Sequence, residues 1–270
     1  FTPEEASSRW PEINFEGVPV LAFEPNSGYA DSSAVTNGFA LSARERGAKV
    51  QLETNVTGIV VEHGRAVAVE TDRGRINAGA VVLTAGPWIP EFLKSVGAPL
   101  DLSWVRHQVV KLHRPLNKIP THPIIADTSN GISFRPDAGD LTLLGIRADP
   151  TDRDTYNQSV DSSTAADSLE YLVMRYPAFD EAGWDGGWSG LFTITPDHHP
   201  VIDLVPGIEN LVVGAGFSGH GFKLSPTIGR ALAELVTQGR STSIAMSPLR
   251  FTRFAENDLL GSAYGASVFA

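Results

Sequence analysis

The fold is decided by the stretch Leu211-Val-Val-Gly-Ala-Gly-Phe-Ser-Gly-His-Gly-Phe-Lys-Leu-Ser-Pro226. Its first residues are apolar and predict a strand, and its middle is rich in glycine and predicts a turn. The residues that follow, Leu224 to Val236, place apolar side chains at helical spacing. Because a glycine-rich turn at the start of a helix offers backbone N–H groups to an anionic or electron-rich ligand, we expect a ligand site here.

The glycines of this turn match a dinucleotide-binding pattern, but the sequence after them does not. Gly214, Gly216 and Gly219 form G-x-G-x-x-G. A Rossmann unit continues into a second strand, with an acidic residue about 20 positions beyond the glycines. Here the helix ends at Gly239, and neither a strand nor an acidic residue follows up to Pro248. The turn is therefore predicted to be the last strand–turn–helix of its fold, and an NAD-dependent dehydrogenase is the weakest of three functional hypotheses.

The composition narrows the classes of function. The chain has 270 residues, of which 42% are hydrophobic, with 26 glycines and 18 prolines, as is typical of an α/β enzyme. A formal net charge of −10 argues against nucleic acid as a partner. The absence of cysteine excludes disulfides, thiolate metal sites and a cysteinyl–flavin bond. No apolar run is long enough to span a membrane and no signal peptide is recognisable, so we predict a cytoplasmic protein.

The patterns along the chain change near Pro99. Before it, a capping box at Thr2 and Glu5 predicts a short helix, and a run of short strands surrounds a second helix. The apolar run Ala80 to Thr84 predicts a strand buried on both faces of a parallel sheet. After Pro99 the predicted strands are longer and half exposed, which indicates an antiparallel sheet. The predicted strands are Val18 to Glu24, Lys49 to Leu52, Val56 to Val61, Ala66 to Glu70, Arg75 to Asn77, Ala80 to Thr84, Val105 to His113, Ile132 to Arg135 and Leu141 to Ile146; the predicted helices include Ala34 to Arg46 and Ser163 to Tyr176.

Several segments, in this order along the chain, resemble a known superfamily. These are Gly28-Tyr-Ala-Asp31, Ala80-Val-Val-Leu-Thr-Ala-Gly-Pro-Trp88, Thr193-Ile-Thr-Pro-Asp-His-His-Pro-Val-Ile202 and Gly216-Phe-Ser-Gly-His-Gly-Phe-Lys-Leu-Ser-Pro226. Together they resemble the D-amino-acid-oxidase-like (DAO) superfamily of FAD-dependent oxidoreductases, and within it the sarcosine oxidase branch most closely. The resemblance covers most of residues 20 to 240.

The resemblance implies a two-domain fold. An α/β FAD-binding domain of the glutathione-reductase-like, Rossmann type would comprise residues 25–98 and 189–245. An α+β substrate domain with an antiparallel sheet would comprise residues 1–24 and 99–188, and residues 246–270 would form a C-terminal tail. In this superfamily an N-terminal βαβ unit with its own G-x-G-x-x-G holds the FAD pyrophosphate. We therefore expect the chain to be the C-terminal two-thirds of a flavoprotein, its FAD-binding domain completed by a missing N-terminal segment or by a partner subunit.

The resemblance also implies which residues contact FAD. They are a backbone position near the adenine, the turn after the strand at Ala80, and the glycine-rich turn. Gly190 stands where monomeric members carry a flavin-tethering cysteine, so FAD would be held without a covalent bond there. Trp88 would either cover part of the cofactor or lie in the core. The expected contacts are Val56, Ala85, Gly86, Trp88, Gly190, Gly216, Phe217, Ser218, Gly219, His220, Gly221, Phe222 and Lys223.

Two residues of the glycine-rich turn are candidates for catalysis. A lysine in the first turn of a helix opposes the helix dipole, so Lys223 is unfavourable there without a negative partner. A substrate carboxylate or the reduced flavin would supply that partner, and the alternative is an ordinary solvated lysine. The resemblance implies that Lys223 binds the carboxylate of a small amino acid substrate. His220 lies between two glycines and is either a neighbour of the flavin ring or a residue tolerated in a turn. His198 and His199 are adjacent, so their side chains point to opposite faces of an extended backbone and no metal site is expected.

Two departures from the family pattern leave the type of reaction open. Leu143 stands where oxidases of this branch carry a lysine that promotes the reaction with oxygen, and Phe192 stands where glycine-oxidase-like members bind a carboxylate through arginine. We expect FAD-dependent oxidation of the C–N bond in a secondary-amine or N-alkyl amino acid, with oxygen or another acceptor. The alternative is a non-catalytic fragment or subunit that needs a partner chain to bind FAD.

Overall fold

The computed structural model describes residues 1–261, which divide into two compact units. The first unit comprises Phe1–Tyr29 and Arg106–Leu191, and the second comprises Ala30–Val105 and the described residues from 192 onward. Of the predicted tail, residues 262–270 lie outside the described residues. The helices are α1 Pro3–Arg9, α2 Ser32–Glu45, α3 Ile89–Ser95, α4 Ser162–Arg175 and α5 Gly221–Gln238. The strands are β1 Val56–Glu62, β2 Arg65–Thr71, β3 Gly74–Asn77, β4 Val81–Leu83, β5 Ser103–His113, β6 Ile125–Asp127, β7 Ile132–Pro136, β8 Leu141–Pro150, β9 Gly183–Ile194, β10 Val201–Leu204 and β11 Leu211–Ala215.

The first unit packs two helices against a five-stranded sheet. The strand order is β6-β7-β8-β5-β9, and β7 pairs antiparallel with both β6 and β8. Buried residues alternate with partly buried ones along β7 and the first four residues of β8, as is typical of a sheet with one covered face. Helix α1 begins with the predicted capping box, in which Glu5 N–H donates to Thr2 Oγ1 and Thr2 N–H donates to the Glu5 carboxylate. The core beneath the sheet includes Val110, Leu112, Phe134, Leu144, Leu172 and Tyr176.

The second unit contains two small sheets and helix α5. Strands β1, β2 and β3 form the predicted antiparallel meander. In the other sheet, of order β10-β11-β4, β11 runs parallel to β4 and antiparallel to β10. Helix α5 lays Ile228, Leu232 and Leu235 against Ile202 and Val212 of this sheet, and the burial of those side chains holds the helix in place.

The α/β class with antiparallel sheets is confirmed, but three of the predicted strands need correction. Val18 to Glu24 and Lys49 to Leu52 are not strands, because neither finds a neighbouring strand within residues 1–261. Ala80 to Thr84 forms β4 and pairs in parallel as predicted, yet Val82 is 41% exposed, so burial on both faces is wrong. Within the described part of the chain, no helix is both long and apolar enough to cross a membrane.

Candidate functional site

Two turns of the second unit leave the same edge of a sheet. Strands β4 and β11 are parallel, with Leu83 paired to Val213, so their carboxyl ends point the same way. One strand leads through Ala85 into a 3-10 helix at Gly86–Trp88, and the other leads into the glycine turn, Gly216–His220. A Cβ added to Gly214 would lie 3.5 Å from Thr84 Cγ2, which shows how closely the two strand ends approach. Ligands of α/β sheets bind outside such carboxyl ends.

The glycine turn requires glycine for its backbone and for its packing. Gly216 has φ +64° and Gly219 has φ +88°, backbone angles that residues other than glycine rarely adopt. A Cβ on Gly216 would also lie 2.3 Å from Thr195 Cγ2, a severe overlap. Ser218 itself adopts φ +50°, and this conformation is held because Ser218 N–H donates to Thr193 O at 2.9 Å. The turn is therefore fixed by the segment that precedes β10.

Helix α5 starts with backbone groups that no side chain caps. His220 is the N-cap residue and makes no side-chain capping bond, and the first turn contains no acidic residue. Pro226 has no N–H to donate to the carbonyl of Phe222, but Ser225 Oγ donates to that carbonyl at 2.8 Å instead. The first turn thus stays regular while its N–H groups carry the positive end of the helix dipole towards the glycine turn.

The basic side chain of His220, at the end of the glycine turn, lies near those of Lys223 in α5 and His199. Burial and the charge of Lys223 lower the pKa of His220, against opposing hydrogen bonds to the Phe217 and Ser218 backbone, and His199 lowers it further. Lys223 is exposed, but partial desolvation of its ammonium lowers its own pKa. Within residues 1–261, Lys223 forms no ion pair with a carboxylate. The Lys223 ammonium and the N-terminus of α5 therefore supply positive charge that suits an anion, whereas the lowered pKa of His220 favours a neutral imidazole.

Most of the predicted cofactor residues lie in the two turns and at the start of α5, and the others, Val56 and Gly190, lie elsewhere. Ala85, Gly86 and Trp88 form one turn and residues 216–223 form the other. Trp88 is 55% exposed, so the alternative of a core tryptophan is wrong. Val56 begins β1 in the separate meander sheet, and Gly190 lies in β9 within the first unit, where an added Cβ would meet no atom within 4 Å. The contacts of these residues with a cofactor remain predictions.

No sequence pattern pointed to a further residue near this site, Arg253. Arg253 is fully buried and pairs with Asp197, which follows β9 by three residues. In the sequence, Asp197 stood out only as part of the segment Thr193 to Ile202 that resembles the family. An isolated arginine 56 residues beyond its partner carries no local pattern, although the flanking Phe251 and Phe254 indicate a packed segment rather than a free tail.

The arrangement suits a flavin. Gly86 has φ +56° with open space in front of it, so backbone can approach a ligand closely there. The uncapped start of α5 leaves N–H donors and the positive end of the helix dipole open to a ligand. Trp88 and Phe222, which is 45% exposed, provide apolar surface for a large flat ligand.

Comparisons with known proteins agree with this geometry. Residues 1–235 match the family model described as DAO, FAD dependent oxidoreductase. The chain is 30% identical to monomeric sarcosine oxidase of Bacillus sp. (strain B-0618) over 251 residues, which are 88% of this chain and 63% of that protein. It is 27% identical to sarcosine oxidase subunit beta of Rhodobacter capsulatus over 98% of this chain and 64% of that subunit, so it spans just under two thirds of both relatives.

A solved structure extends the match to the fold. L-proline dehydrogenase from P. horikoshii superposes with a TM-score of 0.86 at 26% identity, covering 96% of this chain and 69% of that one. The family match spans well over half of the residues, and it includes the glycine turn, the parallel pair β4–β11 and most of α5. The chain therefore belongs to the DAO family of FAD-dependent oxidoreductases.

Proposed function

We propose that the protein binds FAD non-covalently and oxidises the C–N bond of a secondary-amine or N-alkyl amino acid such as sarcosine. Bound FAD would accept a hydride from the carbon next to the amine nitrogen, leaving an imine that water hydrolyses to an amine and a carbonyl compound. Support comes from the family match and from relatives named sarcosine oxidase. The protein's own contribution is to bind, orient and polarise.

The observation that carries this proposal is a cluster of basic groups without a carboxylate. Lys223 and His220 lie at the uncapped start of α5, and no acidic residue occurs in its first turn. A cation at a helix N-terminus is unfavourable unless an anion compensates it. The carboxylate of an amino acid substrate supplies that anion. Lys223 would bind the carboxylate, while a neutral His220, favoured by its lowered pKa, would hydrogen bond without adding a second full charge.

The acceptor for the electrons is proposed from the strand that carries Leu143. Leu143 is partly buried on β8. Gly145, two residues further along the strand, lies beside His107: a Cβ added to Gly145 would be 3.2 Å from His107 Nε2. Burial lowers the pKa of His107, which favours its neutral form. Two arginines share this face: Arg135 lies opposite Leu143 on β7 and pairs with Asp137, and Arg147 is exposed. Because Asp137 offsets the charge of Arg135 and Leu143 itself is apolar, this strand favours a dehydrogenase that passes electrons to an acceptor other than oxygen.

A second possibility is that FAD binding requires additional polypeptide. Helix α2 has no buried residue, and its Phe39 and Leu41 are 54% and 58% exposed. Val82 of β4 is exposed as well. Apolar side chains left open on a helix and on a sheet favour a covering segment or partner chain. We propose that such a segment completes the cofactor site.

Flavin reduction tests the reaction directly. The full-length or partner-completed protein, loaded with FAD, is mixed anaerobically with sarcosine. The absorbance at about 450 nm, where oxidised flavin absorbs, is followed in a stopped-flow instrument. The proposal expects the absorbance to bleach with saturable substrate dependence. An N-methylalkylamine without a carboxylate is the matched control and should reduce the flavin about ten- to a hundred-fold less efficiently. Equal rates with both compounds would contradict the carboxylate clamp.

The need for additional polypeptide has its own test. The 270-residue chain is purified with excess FAD, passed through a desalting column, and its flavin content is read from the absorption spectrum. We expect little retained flavin. Stoichiometric FAD on this chain alone would contradict the second possibility while leaving the proposed reaction intact.

A further inference from the structure

A buried ion pair joins the C-terminal part of the second unit to the residues in front of β10. Arg253 Nε donates to Asp197 Oδ2 at 2.8 Å, and Arg253 Nη2 donates to Asp197 Oδ1 at 2.9 Å. Both side chains are essentially inaccessible, at 0% and 1% exposure. Arg253 lies in a 3-10 helix at Phe251–Arg253, and its guanidinium stacks over the Phe254 ring at 4.1 Å. Such a bidentate pair fixes both position and orientation.

The pair also holds the backbone of a tight turn, which we call the histidine turn, Thr195–His199. Asp197 Oδ1 accepts the N–H of His199 at 3.1 Å, and Arg253 Nη2 donates to the His199 carbonyl at 2.6 Å. His199 Nδ1 lies 2.7 Å from the Asp197 carbonyl, so the imidazole is fixed as well. His198 is forced to φ +60°, a strained conformation for histidine that these contacts maintain.

Thr195 passes this constraint to the glycine turn. Its Oγ1 donates to the His199 carbonyl at 2.8 Å and lies 3.5 Å from Ser218 Oγ. Thr195 N–H donates to Ser218 Oγ at 3.3 Å, and that hydroxyl in turn donates to the Gly216 carbonyl at 3.2 Å. Thr195 is 1% exposed, so water does not compete for these bonds. A continuous chain of hydrogen bonds therefore runs from Arg253 to the glycine turn.

We propose that Arg253 and Asp197 are positioning residues for the candidate flavin site, acting through Thr195 and His199 to hold the glycine turn and to keep His220 between His199 and Lys223. The identity of the ligand rests on the proposed function. The positioning itself does not, because it concerns contacts within the chain. Neither Arg253 nor Asp197 needs to touch the ligand for this role.

The chain contains a matched control for a purely structural role. Arg175 and Asp127 form a second buried pair in the first unit, with side-chain exposures of 6% and 7%. Arg175 Nη1 also donates to the Asn14 carbonyl at 2.7 Å, so this pair likewise fastens a distant segment. Its contacts stay within the first unit and do not include the glycine turn. Removing it tests what loss of a buried ion pair does to stability alone.

The deciding measurement is the titration of His220 in the flavin-free chain, followed by NMR. The chain has seven histidines, and comparison with His220→Gln assigns the resonance. Arg253→Met and Thr195→Val should both raise the apparent pKa of His220 towards its ordinary value, because a loosened turn admits water and moves the ring away from Lys223 and His199. Arg253→Lys should restore part of the shift. Arg175→Met should leave the titration unchanged while lowering the melting temperature.

Flavin binding supplies the second readout. In the flavin-containing protein, Arg253→Met and Thr195→Val should weaken FAD binding by about tenfold or more, as expected when a preorganised site is loosened. Arg175→Met should not weaken it. Thr195→Val changes no charge and decides the question if Arg253→Met does not fold. An unchanged His220 titration in folded Thr195→Val overturns the positioning role. A shifted titration in the variants, together with FAD-loaded full-length or partner-completed protein that sarcosine does not reduce, would instead contradict the proposed function alone.

Discussion

The two buried arginine–aspartate pairs have the same chemistry in different settings. In the first unit, Asp127 accepts bonds from Arg175 and from Asn130 within its own turn. In the second unit, Asp197 accepts bonds from Arg253 and from two backbone N–H groups, those of His199 and Leu260. Burial by itself raises the pKa of both carboxyls, but these hydrogen bonds outweigh it, so both pKa values lie below their usual range. Each pair is therefore ionised and fully bonded.

The difference lies in where each network ends. The Arg175 network closes on backbone carbonyls of the N-terminal segment, at Asn14 and Glu16, and serves packing. The Arg253 network continues through Thr195 to the glycine turn, where Lys223 and His220 have no carboxylate within residues 1–261. One unit satisfies its buried charges internally, whereas the other holds exposed positive charge in place for a ligand. The two pairs therefore differ in function because their further hydrogen-bond partners differ.

Breaking either pair should have the largest effect. Asp197→Asn and Asp127→Asn each leave a buried guanidinium without its counter-charge, which costs about 3–5 kcal/mol. Urea unfolding monitored by hydrogen exchange should show the loss in the unit that carries the substitution. Asp185→Asn is the control, because its partner Lys111 is one-third exposed and such pairs contribute less than about 1 kcal/mol. Equal losses in all three variants would contradict the importance of burial.

Acid should weaken the two units at different pH values. Burial lowers the pKa of His122 in the first unit to about 4. The unfolded chain therefore binds more protons below about pH 6.5. The free energy of unfolding falls as the pH drops from about 6.5 to about 4, by up to about 1.4 kcal/mol for each pH unit. The pKa of Asp197 is lowered, so its contribution is present above the unfolded value of about 3.8 and is lost only below it.

The measurement for this pH effect is hydrogen exchange at pH 7 and pH 4.5. Amides of β7 and β8 should lose more protection than amides of β11. His122→Gln, which removes the titrating ring but keeps a polar side chain near Thr142 Oγ1, should flatten the difference. The pKa of His220 is lowered as well. Because His220 is only half-buried, we expect it to contribute less to the pH dependence of the second unit than His122 contributes to that of the first. Parallel losses in both units would contradict this assignment.

Removing the charge of Lys223 should act on substrate rather than on stability. Lys223→Met should raise the KM for an N-methyl amino acid by about ten- to a hundred-fold, the value of one charge-assisted hydrogen bond of about 1.5–3 kcal/mol. Flavin content should be retained. Lys118→Met is the control, since Lys118 pairs with Glu181 on the first unit. Loss of flavin with an unchanged KM would reassign Lys223 from substrate to cofactor.

The smallest expected effect concerns oxygen. After anaerobic reduction by substrate, the protein should be reoxidised more slowly by oxygen than by a dye acceptor. Leu143→Lys should speed the oxygen reaction by about tenfold, because a cation stabilises the negative charge that develops on oxygen. Leu143→Met, of similar size and without charge, should not. Rapid reoxidation of the wild-type protein by oxygen would show that another group, such as Arg147, provides the charge.

Local signals account for what the sequence predicted correctly. The capping box at Thr2 and Glu5, the meander and the turn leading into α5 all depend on residues a few positions apart. The false strands at Val18 and Lys49 had suitable side chains but no neighbouring strand to pair with. Arg253 was missed because its partner is 56 residues away and a single arginine has no periodicity. Local chemistry predicted the glycine turn, whereas long-range packing determined what holds it.

The distance between Asp197 and Arg253 has a consequence for how the protein is made. A ribosome releases the chain from its N-terminal side, and the histidine turn emerges 56 residues before the arginine that fastens it. Until Arg253 has left the exit tunnel, Asp197 is a carboxylate without its counter-charge, and only contacts within Thr195–His199 support the strained backbone at His198. The turn therefore reaches its final form only after a further 56 residues have emerged. A nascent chain stopped short of Arg253 keeps every glycine of the turn but lacks the ion pair that holds the histidine turn, so folding of this site lags behind synthesis of the glycine turn.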